Sequence, residues 1–155
     1  MRNELMGRTK ELRNRVNAMI MTMDNKEKIP AALEHLYGVS LAATLLAKKR
    51  GEDQELAAMA GMLHDIHAYM SGSYDDHAHL GAEMARKILE EVGVTTTEEN
   101  DMICSAIYHH DDKLAVDGPM DEILKDADVI DHCYNDVSKN VKEKEQARYD
   151  AMAIN

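Results

Sequence analysis

Between Ala60 and Glu83 the chain reads AGMLHDIHAYMSGSYDDHAHLGAE, a stretch holding four histidines and three aspartates. Imidazole nitrogen combined with carboxylate oxygen suits borderline metals such as Zn, Fe, Mn, Co or Ni, whereas Ca prefers an all-oxygen shell. A cation held this way lowers the pKa of water and neutralises phosphoryl oxygens, which is what hydrolysis of a phosphate ester needs. No GxSxG elbow or glycine-rich phosphate loop competes for that role. A metal site also needs ligands from elsewhere in the chain, and all of them must face inward.

The elements that would position these residues are helices, because the apolar spacing is helical nearly throughout and no strand alternation or repeat interrupts it. A first helix is predicted from Glu4 to Met23, with Leu5, Leu12, Val16, Met19 and Met23 on one face. Pro30 suits the start of a second, which Gly51 ends. A third begins near Asp53 and stops near His64 or Asp65. The segment AYMSGSYDD reads as a loop by its Ser, Gly and Asp content. A fourth helix runs from His77 to before Gly93. Thr96 with Glu99 forms a capping-box pattern opening a fifth, which runs to His110. After the loop DDKLAVDGP, a sixth starts near Pro119 and passes Tyr134, and a charged helix finishes the chain. The expectation is an all-α bundle of about six to seven helices in one domain over 1–155, with an N-terminal helix in 1–30, a metal-binding core in 31–135 and a C-terminal helix in 136–155.

At about 100° per residue, each histidine falls on a definite helix face. His35 shares its face with Val39, Ala42 and Leu46. His64 ends the face of Ala57, Ala60 and Gly61, small residues that allow close helix approach. His77 lies with Gly81, Met84 and Ile88, while His79 falls on a solvent face with Glu83, Arg86 and Glu90. His110 continues Ile103, Ala106 and Ile107, and His109 sits with Ser105. Asp128 stands one turn after Leu124. The inward polar set is therefore His35, His64, Asp65, His77, His110 and Asp128. Buried carboxylates left unpaired cost several kcal/mol, and a cation is the simplest common partner for all six. His132, one turn beyond Asp128, is a weaker outer candidate.

Composition narrows the function further. The chain has 155 residues, 45% of them apolar, with twelve Met and neither Trp nor Phe. Cys104 and Cys133 lack CxxC spacing and read as ordinary thiols of a reducing compartment. The polar N-terminus is no secretory signal, and runs such as LAATLLA are too short to span a bilayer, so a cytoplasmic protein is expected. A net charge of −11 argues against nucleic acid as a general partner. The N-terminal helix is locally basic through Arg2, Arg8, Lys10, Arg13 and Arg15, and is expected to cap the core or a possible homodimer.

The order His35, His64-Asp65, Asp128 resembles the HD-domain superfamily of metal-dependent phosphohydrolases. HLYGVSLAATLLA, AAMAGMLHDI, HAHLGAEMARKIL, ICSAIYHHDD and LKDADVID are similar to its successive segments and together cover roughly residues 31–135. The resemblance implies a compact HD-like bundle and one or two divalent transition-metal ions, two being favoured because His77 and His110 match the extra histidines of small diiron-type members. It implies Asp65 as the bridge between metals and, with His64, the centre of catalysis. The substrate implied is small and phosphorylated, nucleotide-like. Many members read HDxxK, but Ala68 stands at that lysine's place here. His67, His79, Lys113 and Lys125 are the candidates to replace it, each also explicable as a surface residue. The loop 70–76, with Ser71, Ser73, Tyr74, Asp75 and Asp76, is expected to rim the site. Two alternatives follow from the same residues: a mixed-valent diiron oxygenase of the superfamily, and a non-catalytic module in which metal holds the helices together.

Overall fold

The computed structural model describes residues 7–152, and all of their regular structure is helical. Six longer helices form the body: α1 (Arg8–Ile20), α2 (Ile29–Arg50), α3 (Gln54–Leu63), α5 (His77–Val92), α6 (Thr97–His109) and α7 (Pro119–Tyr134). Two short ones, α4 (Ile66–Ser71) and α8 (Gln146–Ala151), join them, with 3-10 turns at Lys26–Lys28 and Glu143–Glu145. The predicted start at Glu4 and the residues Arg2 and Leu5 lie outside the described residues, as do 153–155; the C-terminal helix expected over 136–155 is α-helical only at Gln146–Ala151, after an irregular stretch and a 3-10 turn.

The boundaries have local causes. Asp53 caps α3 by accepting from the Leu56 amide at 2.9 Å. Thr96 and Glu99 cap α6 reciprocally, at 3.2 and 2.9 Å. Gly51, Gly72 and Gly93 end α2, α4 and α5 in the left-handed region, with φ of 73°, 74° and 72°. The segment AYMSGSYDD is not all loop, because Ala68–Ser71 belong to α4. Ile66 and Ala68 are buried there, and the turn-forming residues begin only at Ser71 and Gly72.

α2 lies at the centre, packed on α3 and α7. At Gly61 the approach is close enough that a Cβ would sit 2.5 Å from Ser40 Cα and 2.7 Å from Ser40 N. The small residues of α3 therefore do allow the contact their spacing predicted. The span Lys26–Arg50 is long and apolar enough by length and composition to cross a bilayer, which the short apolar runs did not suggest. In this fold its Ala32, Leu36, Val39, Ala43 and Ala47 are fully buried in the core. α1 covers one side of that core through Leu12, Val16 and Ile20. Its arginines are spent within the chain: Arg8 pairs with Glu55 and Glu99, and Arg15 with Glu91.

Lys113 and Lys125 are not surface residues, being 4% and 0% exposed. Buried ammonium groups need partners, and each has them. Lys125 Nζ donates to Ala115 O at 2.8 Å and Asp117 Oδ2 at 2.6 Å, pinning the loop before α7. Lys113 Nζ donates to His110 O at 2.6 Å and to Asp128 Oδ2 at 2.8 Å.

Candidate metal centre

The helix from α3 to α4 breaks at His64-Asp65, and Asp65 is the point on which the site converges. Its Oδ2 lies 3.1 Å from His35 Nε2 and 3.3 Å from His64 Nε2. Its Oδ1 lies 3.2 Å from His110 Nε2 and 3.4 Å from His77 Nε2. One carboxylate thus faces two histidine pairs with its two oxygens. Asp128, from α7, faces the first pair: its Oδ1 is 3.4 Å from Nε2 of both His35 and His64. Of the six residues that helical periodicity selected, His64, Asp65, His77, His110 and Asp128 are 9% exposed or less, the His35 side chain is 14% exposed, and the structure brings all six together.

The other ring nitrogen of each histidine is held in place. His64 Nδ1 meets Gly61 O at 2.7 Å, His77 Nδ1 meets Tyr74 O at 2.9 Å, and His110 Nδ1 meets Ile107 O at 2.6 Å. A carbonyl can only accept, so each Nδ1 carries a proton. His35 Nδ1 likewise meets Asp131 Oδ2 at 2.7 Å. Outer contacts of this kind set ring orientation and tautomer in metal-binding histidines, leaving Nε2 for the ion.

The electrostatics call for positive charge among these atoms. Burial lowers the pKa of His64, but Asp65 and Asp128 outweigh it and raise it to about 10. His35 goes to about 9, with burial opposed by Asp131 and Asp65. Burial would raise both buried carboxylates, yet His64 holds Asp65, and Lys113 with His64 holds Asp128, well below the usual range. His110 is pushed down by burial. In its neutral form, with the proton on the Nδ1 that meets Ile107 O, its Nε2 lone pair faces Oδ1 of Asp65, an acceptor against an acceptor. Asp128 Oδ1 is buried and accepts no hydrogen bond. An orphaned carboxylate oxygen and a lone pair directed at a carboxylate are both resolved by a cation, so these residues fit a metal. His35, His64, Asp65 and Asp128 could hold one ion, and Asp65, His77 and His110 another; donor atoms of His35, His64 and Asp65 lie within 4.8 Å of one another, as do those of Asp65, His77 and His110.

His132 stands closer to this set than its isolated place in the sequence suggested. Its ring stacks on His35 at 5.2 Å and 3°, with Nε2 3.4 Å from Asp128 Oδ1. Its Nδ1 meets Glu145 Oε1 at 2.7 Å. The spacing from Asp128, one helical turn, was the available signal; Glu145 lay beyond reach of any local pattern. His79 is on the surface, stacked on Tyr108 and 2.8 Å from Asp76. His67 is half-buried with Nδ1 unpaired, and it takes no part in the cluster. A cleft of about 230 Å³ opens onto the cluster, lined also by Tyr69, Tyr74, Lys113, Lys142 and Lys144. Of the predicted rim, Tyr74 therefore reaches the cleft, while Ser71, Ser73 and Asp75 bond mainly to one another.

Comparison with known proteins bears on the family and the fold. The HD domain family model matches residues 32–136. Ribonuclease Y of Helicobacter pylori is 35% identical over 80 residues, which is 51% of this chain and 13% of that protein. Ribonuclease Y of Campylobacter concisus is 31% identical over 103 residues, 63% of this chain and 18% of that protein. The chain thus spans less than a fifth of these relatives. The crystal structure of a predicted HD superfamily hydrolase from an uncultured Thermotogales bacterium superposes with a TM-score of 0.62 at 23% identity, over 88% of this chain and 83% of that one.

Proposed function

From the premise that this chain belongs to the HD domain family, we propose that it is a metal-dependent phosphohydrolase acting on a small, nucleotide-like phosphate ester. The observation that carries the proposal is Asp65, whose two oxygens face the His35/His64 and His77/His110 pairs. Two divalent transition-metal ions would find their ligands in His35, His64, Asp65 and Asp128 and in Asp65, His77 and His110. Bound there, a divalent ion lowers the pKa of water toward ~7 and offsets charge on phosphoryl oxygens.

The chain's own residues prepare the rest. Nδ1 contacts to Gly61, Tyr74, Ile107 and Asp131 hold the rings ready, so no reorganisation is needed during reaction. Lys113 fixes Asp128 from behind through Oδ2, leaving Oδ1 toward the site. Burial pushes the Tyr69 hydroxyl up, keeping it a neutral hydrogen-bond donor at the cleft.

The test is elemental analysis of the purified protein, followed by a phosphate-ester screen of the metal-loaded chain with oxygen uptake as control. About two equivalents of metal and ester cleavage without oxygen consumption are expected. Oxygen consumption without ester cleavage would favour oxidative chemistry. No metal, even after reconstitution with Mn, Fe, Co or Zn, would overturn the proposal. An RNA oligonucleotide belongs in the same screen because of the ribonuclease Y similarity.

A further inference from the structure

The phosphohydrolase proposal leaves one role open: which residues meet the substrate's phosphoryl oxygens beyond the ligating set. Ala68, at the place where a lysine is common, is 3% exposed and offers no charge. Lys125, His79 and His67 do not line the cleft, and the ammonium of Lys113 is committed to Asp128 and His110 O.

The C-terminal segment supplies two other ammonium groups. Lys142 and Lys144 flank Glu143 where the chain crosses the mouth of the cleft, and both line it together with His35, Asp65 and Asp128. This segment is anchored in a way that a solvated tail has no need of. Glu145 is 1% exposed, and its Oε1 meets His132 Nδ1 at 2.7 Å. Burying a carboxylate is costly without a partner, and the partner here is a ring stacked on His35. Three residues on, the Arg148 guanidinium donates to Lys113 O and Ala115 O at 2.8 Å each. It also pairs with Glu122 and Asp126, both at 3.1 Å.

The two lysines have donors to spare. Among the described residues Lys142 has no carboxylate within ion-pair range. Lys144 spends one contact on Asp111 at 3.0 Å, and an ammonium has three N–H groups. Lys142 also lines an adjoining cavity of about 580 Å³ with Asn135 and Asn140. It therefore stands between the ligating residues and the larger space for the remainder of a substrate.

We infer that Lys142 and Lys144, held over the cleft by the Glu145–His132 contact, bind the substrate's phosphoryl oxygens in place of the lysine absent at Ala68. The inference rests on the phosphohydrolase proposal for the identity of the anion. Both lysines are on the surface, so replacing them leaves the core intact. Inorganic phosphate is titrated calorimetrically into the manganese-loaded full chain, and p-nitrophenyl phosphate turnover is followed on the same samples. K142A/K144A should bind phosphate at least tenfold more weakly with metal content unchanged, and K142R/K144R should recover most of the affinity. K49A serves as control: Lys49 is exposed at the end of α2 and lines neither cavity, and its loss should change nothing.

Phosphate affinity within twofold of the parent in K142A/K144A, or no phosphate binding by the parent, overturns the inference. The two ideas fail separately. Weakened phosphate binding in the double variant with no ester cleaved by the parent keeps the lysines and removes the reaction. Cleavage by the parent with an unaffected double variant removes the lysines and keeps the reaction.

Discussion

Gly61→Ala should damage the stability of the bundle and its metal site together. A Cβ at this position would meet Ser40 Cα at 2.5 Å, Ser40 N at 2.7 Å and Val39 C at 3.0 Å. Ordinary contact begins at about 3.4 Å, so the shortest of these falls short by 0.9 Å (3.4 − 2.5). The neighbours are backbone atoms of α2, so no rotamer change relieves the overlap and the helices themselves must part. Overpacking of this kind costs about 1–3 kcal/mol. His35 lies five residues before Ser40 on α2, and His64 lies three residues after Gly61. Their Nε2 atoms are 3.0 Å apart, so helix separation of a few tenths of an ångström carries directly into the ligand set. Urea unfolding of the metal-free variant and metal titration of the native one measure the two effects. Stability within about 0.5 kcal/mol of the parent, the usual scatter for neutral surface changes, together with parental metal affinity, would refute the close-approach argument.

Gly38→Ala should separate the two effects, because its Cβ would run into the Asp131 carboxyl group, a side chain and not backbone, and so shift the group whose Oδ2 orients His35; metal affinity should fall about 10–100-fold with little change in urea midpoint. The metal-free protein should lose stability as pH rises. His35 and His64 have folded pKa values of about 9 and about 10, above their ordinary 6.5. Their contribution is therefore full below ~6.5 and is lost as pH rises through 9 to 10. Metal competes with these protons, so the thermal shift on adding Mn should be larger at pH 8.5 than at pH 6.5, and an equal shift at both would contradict the site's electrostatics. His79→Ala should leave metal content unchanged by elemental analysis, whereas Asp65→Ala should abolish it; loss of metal in the His79 variant would refute its placement on the surface.

The cluster of inward histidines and aspartates was legible because helical periodicity is local. Once His35, His64, His77, His110 and Asp128 were assigned to apolar faces, burial followed, and a bundle has one interior for them to share. The capping box at Thr96 and the stops at Gly51 and Gly93 were legible for the same reason. What escaped was everything set by tertiary contact. Lys113 and Lys125 look like surface residues until Asp128 and Asp117 are placed beside them. Ala68–Ser71 read as loop because the turn chemistry just after them coloured the whole segment. His132 and Glu145, 13 residues apart with an irregular stretch between, follow no periodicity that a sequence displays.

The contact between His35 and Asp131 joins residues 96 positions apart. A ribosome adds ~5–20 residues per second, so about 5–20 s pass between the making of the first ligand and the making of the group that orients it. Asp128 and Glu145 arrive as late. A half-made chain can offer His35, His64 and Asp65 only as loosely held groups, with neither ring direction nor spacing set. The full donor set exists only once α7 has been made and packed, so any selection among metals falls to the folded chain and not to the growing one.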